Sequence, residues 1–137
     1  APLVVLNEFL FAIEKDLALD FLFDKSFNVE HIMPNSGRNI VVIRTDAKMS
    51  DDEFINYVNK LGNKIMLEEN INKSLGNEWF KTKKQTDVNS KTGYINSKYP
   101  IAKSLTSYGS DLWTKADIDN ATQKAAMRIC DFIFGEE

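Results

Sequence analysis

The 137-residue sequence has a single cysteine and a single histidine, and it lacks long apolar runs. One thiol excludes an internal disulfide, so we expect Cys130 to be a buried apolar residue near the C-terminus, which suits a reducing cytoplasm. No apolar run approaches the roughly 18–20 residues that span a bilayer. Walker A and Rossmann glycine patterns are also missing, which argues against a nucleotide-driven reaction within this chain.

The chain has no excess of positive charge, because 17 lysines and arginines against 20 acidic residues give a formal net charge of −3. This value argues against a uniformly basic nucleic-acid-binding protein. Residues 61–98 nevertheless carry seven lysines against four acidic residues, whereas residues 1–60 and 99–137 are net acidic. A local basic segment is typical of a phosphate-binding surface, although lysines on a solvated face give the same pattern. The length and the aromatic content predict one packed domain.

The only histidine lies in the run Val-Glu-His-Ile-Met-Pro at 29–34. Alternation along a strand puts Val29 and His31 on one face and Glu30 on the other, and Pro34 ends the strand. A neutral imidazole at this position could take a proton from water, and the neighbouring carboxylate could hold a hard cation. A histidine without a functional role is the alternative interpretation of this run alone.

A second group of residues follows about thirty positions downstream. It begins with Leu-Gly-Asn at 61–63 and an apolar run, and continues through asparagines, an aromatic residue and a lysine. Together with the histidine run, this order and spacing resemble the HNH nucleases, specifically the C-terminal HNH domain of GmrSD-type modification-dependent restriction proteins. The residues that carry the resemblance are Glu30, His31, Pro34, Leu61, Gly62, Asn63, Leu67, Asn72, Asn77, Phe80 and Lys83.

The resemblance implies an α+β fold, a mostly helical domain around a ββα-metal core with a short antiparallel ribbon. We expect residues 1–137 to form a single HNH nuclease domain, the C-terminal part of a larger cytoplasmic restriction protein. In such systems, NTP binding and recognition of modified bases lie in an N-terminal domain, which would be a partner of this one. No contact with a membrane is expected.

The resemblance also assigns the chemistry at the centre of the site. His31 corresponds to the general base that activates water, and Glu30 to an acidic metal ligand, which is Asp in most HNH proteins. Asn72 corresponds to the last motif residue, where an amide oxygen suits Mg²⁺ or Mn²⁺ and argues against zinc. The lack of cysteine pairs excludes the HNH variant with structural zinc.

The remaining motif residues are assigned to positioning and to DNA binding. Asn63 corresponds to the residue that orients the loop carrying the base. Lys83 matches the family lysine and is expected to face the scissile phosphate, and Lys81 and Lys84 are expected to contact the DNA backbone or face solvent. Asn35 after Pro34, and Ala121 where Arg is frequent, depart from the family pattern.

The predicted function is therefore a metal-dependent DNA endonuclease in anti-phage restriction. Two alternatives stay open: a degenerate HNH domain that binds nucleic acid without cleavage, and a protein-interaction domain in which the motif residues are structural. Magnesium-dependent nicking of a plasmid would separate the first function from both alternatives.

Periodicity and capping patterns predict the remaining elements. We expect an extended, buried aromatic segment at 18–29, a strand at 40–43 that is not typical of the family, and a strand at 64–67 pairing antiparallel with the histidine strand. Ser50 with Glu53, and Thr114 with Asp117, are capping boxes. Helices are predicted at 3–17, 51–60, from 70–72 to Gly76, 77–88, 95–105, and from the Thr114 cap to 134. Asn77 is expected to cap the helix at 77–88, and 89–93 is expected to be a loop. Trp113 is expected in the core.

Overall fold

The fold was obtained as a computed structural model that describes residues 2–23, 26–37, 39–85 and 92–135, without the side chains of Phe23 and Gln85. Its centre is an antiparallel ribbon of β1 (Phe27–His31) and β2 (Lys64–Glu68). Phe27 lies opposite Glu68 at one end, and His31 lies opposite Lys64 at the other. The predicted pairing of the histidine strand with the strand after the Leu-Gly-Asn turn is confirmed.

Helices surround this ribbon, so the described residues form a mostly helical α+β domain, as predicted. Within the described ranges, no helix is long and apolar enough to cross a membrane. The helices are α1 (Pro2–Glu14), α2 (Ile40–Asp46), α3 (Asp51–Val58), α4 (Glu69–Leu75), α5 (Phe80–Gln85), α6 (Pro100–Leu105) and α7 (Lys115–Phe134), with 3₁₀ turns at Asp20–Phe23, Leu61–Asn63 and Tyr94–Asn96.

The ribbon continues directly into α4, which packs against both strands and completes a strand–strand–helix unit. Gly76 ends α4 with a φ of 58°, a left-handed conformation that glycine adopts without steric cost. Helices α1 and α6 pack on β2, and α7 packs on the 61–63 turn and on α1. The ends of β1 and β2 are thereby held from several sides.

Local sequence patterns predicted several elements correctly. Ser50 and Glu53 exchange the two hydrogen bonds of a capping box at the start of α3. The Asp117 carboxylate accepts from the Thr114 backbone N–H at the start of α7. Trp113, just before this cap, is 6% exposed and belongs to the core.

The predicted strand at 40–43 is wrong, because this segment forms α2. Only Ile43 of the four β-branched residues is buried, and Val41 and Val42 are exposed. The sheet described in the structure has two strands, so an extended 40–43 segment has no neighbour to pair with. A helix satisfies its own backbone groups, and here that outweighs the β propensity of the residues.

Several element boundaries also differ from the predictions, including the ends of α1 at Glu14 and of α3 at Val58. Helix α5 begins at Phe80, so Asn77 is not its cap, and the predicted end of this helix near 88 lies outside the described residues. The predicted helix at 95–105 is a 3₁₀ turn followed by α6, which begins at Pro100 because proline disfavours a helical conformation at Tyr99 (ψ 128°). Of the predicted loop at 89–93, the structure describes only 92 and 93.

Two burial predictions need correction. Cys130 is exposed on α7, because the apolar side of this helix that meets the domain is formed by Ile118, Ala125 and Ile129. The segment 18–29 is not extended throughout, since 20–23 form a 3₁₀ turn that buries Phe21 and exposes Leu22.

Candidate active site

The site forms where β1 ends. Glu30 and His31 are consecutive, so their side chains leave opposite faces of the ribbon. Glu30 lies opposite Ile65 in β2 and faces α4 and α5, whereas His31 lies opposite Lys64. The end of a two-stranded ribbon therefore presents a carboxylate on one side and an imidazole on the other.

Glu30 is almost fully buried, with 3% of its surface exposed. Its Oε2 accepts hydrogen bonds from the Lys83 Nζ at 2.7 Å and from the Tyr94 hydroxyl at 2.6 Å. Its Oε1 accepts one bond, from the Asn72 Nδ2 at 3.0 Å. Burial, and then the Glu30 carboxylate, raise the pKa of Tyr94 well above its usual range, so the phenol stays protonated and donates. Oε2 thus accepts two hydrogen bonds, one of them from a cation, whereas Oε1 accepts one from an uncharged amide.

Lys83 lies in the interior and has no exposed surface. Besides Glu30, its ammonium donates to the backbone oxygens of His31 at 2.9 Å and Ile32 at 3.3 Å, which uses all three of its donors. This burial argues against the predicted contact between Lys83 and the scissile phosphate. Instead, Lys83 ties α5 to the end of β1 and fixes both the Glu30 carboxylate and the backbone at His31.

The two other lysines predicted to bind DNA differ in exposure. Lys84 is 4% exposed, and its ammonium donates to the backbone oxygens of Tyr108 at 2.9 Å and Ser110 at 2.6 Å. An ion pair with Asp111 completes its surroundings, which argues against contact with DNA. Lys81 is exposed on α5 and remains available for a phosphate.

His31 is half-buried, and its Nε2 is buried without a hydrogen-bond partner among the described residues. Burial lowers the pKa of the imidazole, a hydrogen bond with the Asn59 side chain opposes this effect, and the Lys64 charge lowers the pKa further. The ring is therefore neutral near pH 7, the protonation state that a general base needs. A buried polar atom without a partner is uncommon and is often a functional atom.

The loop that follows His31 is held by Asn63, which is fully buried. Its Oδ1 accepts from the Met33 N–H at 2.8 Å, and its Nδ2 donates to the Met33 oxygen at 3.0 Å and to the Val58 oxygen at 2.9 Å. The neighbouring Gly62 N–H donates to the Thr122 Oγ1 at 2.9 Å, which anchors the turn on α7. Asn63 is therefore placed to orient the histidine loop, and its part in a reaction stays a prediction.

The residues beside Glu30 fit a hard divalent cation. No cluster of three His, Cys, Asp or Glu side chains occurs in the described part of the chain. Mg²⁺ is commonly bound by one or two protein oxygens and completed by waters and phosphate. Glu30 Oε1 and the Asn72 oxygen would supply such a pair if the Asn72 amide turned, and a cation between the two oxygens would then replace the present hydrogen bond. Asn28 adds a second amide, 3.5 Å from Asn72.

Three residues of the site were not predicted from the sequence. Asn28 lies two positions before Glu30, so strand alternation alone places both on one face. Tyr94 comes 64 residues after Glu30, in a 3₁₀ turn, and no spacing rule connects the two. Asn59 follows α3 and is brought to His31 only by the tertiary fold.

Comparison with known families gives one finding for the chain as a whole. The family model of the GmrSD restriction endonuclease C-terminal domain matches residues 4–127. The chain belongs to this family. It is thus a nuclease domain of the restriction-endonuclease type, for which DNA is the substrate. Comparisons with curated proteins and with solved structures give no significant match.

Proposed function

We propose that this domain hydrolyses DNA phosphodiester bonds by the HNH mechanism, with Mg²⁺ or Mn²⁺ as the cofactor and His31 as the general base. The observation that carries the proposal is the 3.0 Å hydrogen bond from the Asn72 Nδ2 to Glu30 Oε1, which places an amide beside a carboxylate next to the strand position of His31. A carboxylate and an amide oxygen are ligands that would suit Mg²⁺ or Mn²⁺.

Each residue then has a defined task. Glu30 Oε1 and the Asn72 amide oxygen would hold the cation, which would neutralise the phosphate and stabilise the leaving oxygen. His31 Nε2 takes a proton from the attacking water. Asn63 fixes the loop behind His31, and Lys83 orients Glu30 by donating to its other oxygen.

Recognition of the DNA is proposed to lie elsewhere in the protein. The matched family is described as the C-terminal domain of restriction endonucleases, which supports an N-terminal NTPase and recognition domain that selects modified DNA in anti-phage defence. With a net charge of −3, this chain attracts a duplex only weakly over long range. Lys81, exposed on α5, is the lysine of the predicted set that would contact the backbone.

One observation favours a second candidate function, DNA binding without cleavage. The Lys83 ammonium lies 2.7 Å from Glu30 and offsets the negative charge that attracts a cation. If this ion pair persists in the presence of metal, the site holds a cation too weakly for catalysis.

Cleavage and metal binding separate the two candidates. Supercoiled plasmid is incubated with the purified domain in Mg²⁺, Mn²⁺ or EDTA, and Mn²⁺ binding is measured by titration calorimetry on the parent protein, Asn72→Ala and Asn70→Ala. Asn70 is exposed on the same helix and serves as the matched control. We expect metal-dependent nicking and weaker Mn²⁺ binding in Asn72→Ala alone. Binding of DNA without nicking in any metal, or equal Mn²⁺ affinity in all three proteins, would contradict the proposal.

A further inference from the structure

Most of the cations that the structure describes already have a partner. Lys60 is paired with Asp119, Lys73 with Glu69 and Lys115 with Glu53. Arginine side chains pair likewise, and Lys83 and Lys84 are buried. Among the described residues, the cations with neither an ion pair nor a carbonyl partner are Lys48, Lys64, Lys81 and Lys124.

Lys64 is distinguished from the other three by its position. It is the first residue of β2 and lies directly opposite His31, so the two side chains leave the same face of the ribbon. Residues paired in this way have Cβ atoms about 4.5–5.5 Å apart. Lys64 is partly exposed to solvent.

The Lys64 ammonium has no ion-pair partner among the described residues. Glu14, Asp117 and Asp131 line the same cavity as Lys64, and none of them forms an ion pair with it. Glu30 and Lys83 form an ion pair with each other. The face of the ribbon that carries His31 therefore presents the Lys64 ammonium beside the imidazole.

We propose that Lys64 binds a non-bridging oxygen of the scissile DNA phosphate, next to His31. This assignment rests on the proposed function and replaces the phosphate contact predicted for Lys83, whose ammonium is occupied in the interior. The backbone of Lys64 is fixed by the β1–β2 pairing and by Asn63, the residue before it, so the ammonium starts from a well-defined position.

The contact between Lys64 and the phosphate should stabilise the transition state more than the bound substrate. Attack by water increases the negative charge on the non-bridging oxygens, and a fixed ammonium stabilises this charge most strongly in the transition state. Loss of Lys64 should therefore reduce the cleavage rate more than it reduces the affinity for DNA.

The first experiment compares Lys64→Ala, Lys64→Arg and Lys124→Ala in single-turnover cleavage at saturating DNA and metal. Lys124 is an exposed, unpartnered lysine on α7 that lines the same cavity as Lys64, so its replacement makes the same charge change on a different element. We expect a loss on the order of 100-fold in Lys64→Ala, substantial recovery in Lys64→Arg, and the parent rate in Lys124→Ala. Equal rates in the two alanine variants would overturn the proposal.

A second measurement keeps the Lys64 proposal separate from the proposed function. Binding to a short duplex is measured in EDTA over a series of salt concentrations. We expect the slope of log affinity against log salt to fall by about one in Lys64→Ala and to stay unchanged in Lys124→Ala. If the parent protein binds but never cuts, the cleavage proposal fails and this slope still decides whether Lys64 meets a phosphate. An unchanged slope in Lys64→Ala, or no binding by the parent, would refute the contact.

Discussion

Glu30 shows at the scale of one residue how the site is held. A buried carboxylate is costly unless it is paired and hydrogen-bonded. Here Lys83 and Tyr94 satisfy one carboxylate oxygen, and Asn72 meets the other. The same contacts that stabilise the charge also fix the rotamer of the candidate metal ligand. Stability and function are therefore coupled in this group.

Replacement of Lys83 by Met should destabilise the domain strongly. The variant keeps the length of the side chain but leaves the Glu30 charge without its counter-ion, so we expect the free energy of unfolding to fall by about 3–5 kcal/mol. Urea denaturation measures the change, with Lys81→Met on the exposed side of the same helix as the control. The double variant Glu30→Gln/Lys83→Met should recover part of the loss. A loss under about 1 kcal/mol would show that the pair contributes little.

The sequence predicted the members of the site better than their roles. Glu30, His31 and Asn72 follow from the spacing of the motif, and the structure brings Glu30 and Asn72 into contact. The role of Lys83 could not be predicted, because spacing reveals which residues are near and not which side chain is buried. Tyr94 was missed because it reaches Glu30 only through the tertiary fold.

The 61–63 turn is the element that connects the site to the rest of the domain. Gly62 lies so close to α7 that an added Cβ would be 2.4 Å from the Ile118 oxygen and 2.4 Å from the Thr122 nitrogen. The next residue, Asn63, holds the loop after His31. The closeness of the turn to α7 thus sets the position of the loop that carries the candidate base.

A Gly62→Ala substitution should therefore push this turn away from α7. Both atoms that the new methyl group meets belong to the backbone, so relief requires a shift of the element, at a cost of about 1–3 kcal/mol. Thermal denaturation compares the melting temperature of Gly62→Ala with that of Gly109→Ala, where an added Cβ meets nothing within 4 Å. We also expect slower cleavage in Gly62→Ala. Equal stability of the two variants would show that the contact with α7 is not tight.

Elements that are specified by local sequence patterns were predicted well. Elements that depend on which other segments pack beside them in the fold were not. The ribbon, the α3 and α7 caps and the end of α4 at Gly76 all follow from patterns of a few residues. The helix α2 was predicted as a strand, because β-branched residues favour a strand only when another strand is available to pair with them.

At the scale of the whole molecule, Glu8 joins three elements through one buried carboxylate. It has no exposed surface, and it accepts hydrogen bonds from the N–H groups of Met66 in β2 at 3.3 Å and Ile101 in α6 at 2.9 Å. Burial raises the pKa of this carboxyl to about 7, against the effect of the two hydrogen bonds. The charge state of Glu8 therefore affects the packing of α1, α6 and the ribbon together.

Stability should consequently fall as the pH rises from about 4.5 to 7. In this range the folded protein holds the Glu8 proton and the unfolded chain releases it. The free energy of unfolding therefore falls with each pH unit, by about 3 kcal/mol in total. The contribution is complete below the unfolded pKa and is lost above 7. The free energy of unfolding is measured by urea denaturation for the parent protein and Glu8→Gln between pH 5 and 8. We expect the difference between the two proteins to change with pH. A difference that stays constant over this range would contradict the raised pKa of Glu8.

The role of His31 as the general base of a metal-dependent nuclease can be tested with a single substitution. Plasmid cleavage in Mg²⁺ is measured for the parent protein and for His31→Ala, with duplex binding and melting temperature as controls. We expect His31→Ala to cleave about 10²–10⁴-fold more slowly. Duplex binding and melting temperature should be retained, because the variant removes a half-buried ring whose Nε2 has no partner in the described structure. Cleavage by His31→Ala at the parent rate would show that His31 is not the general base.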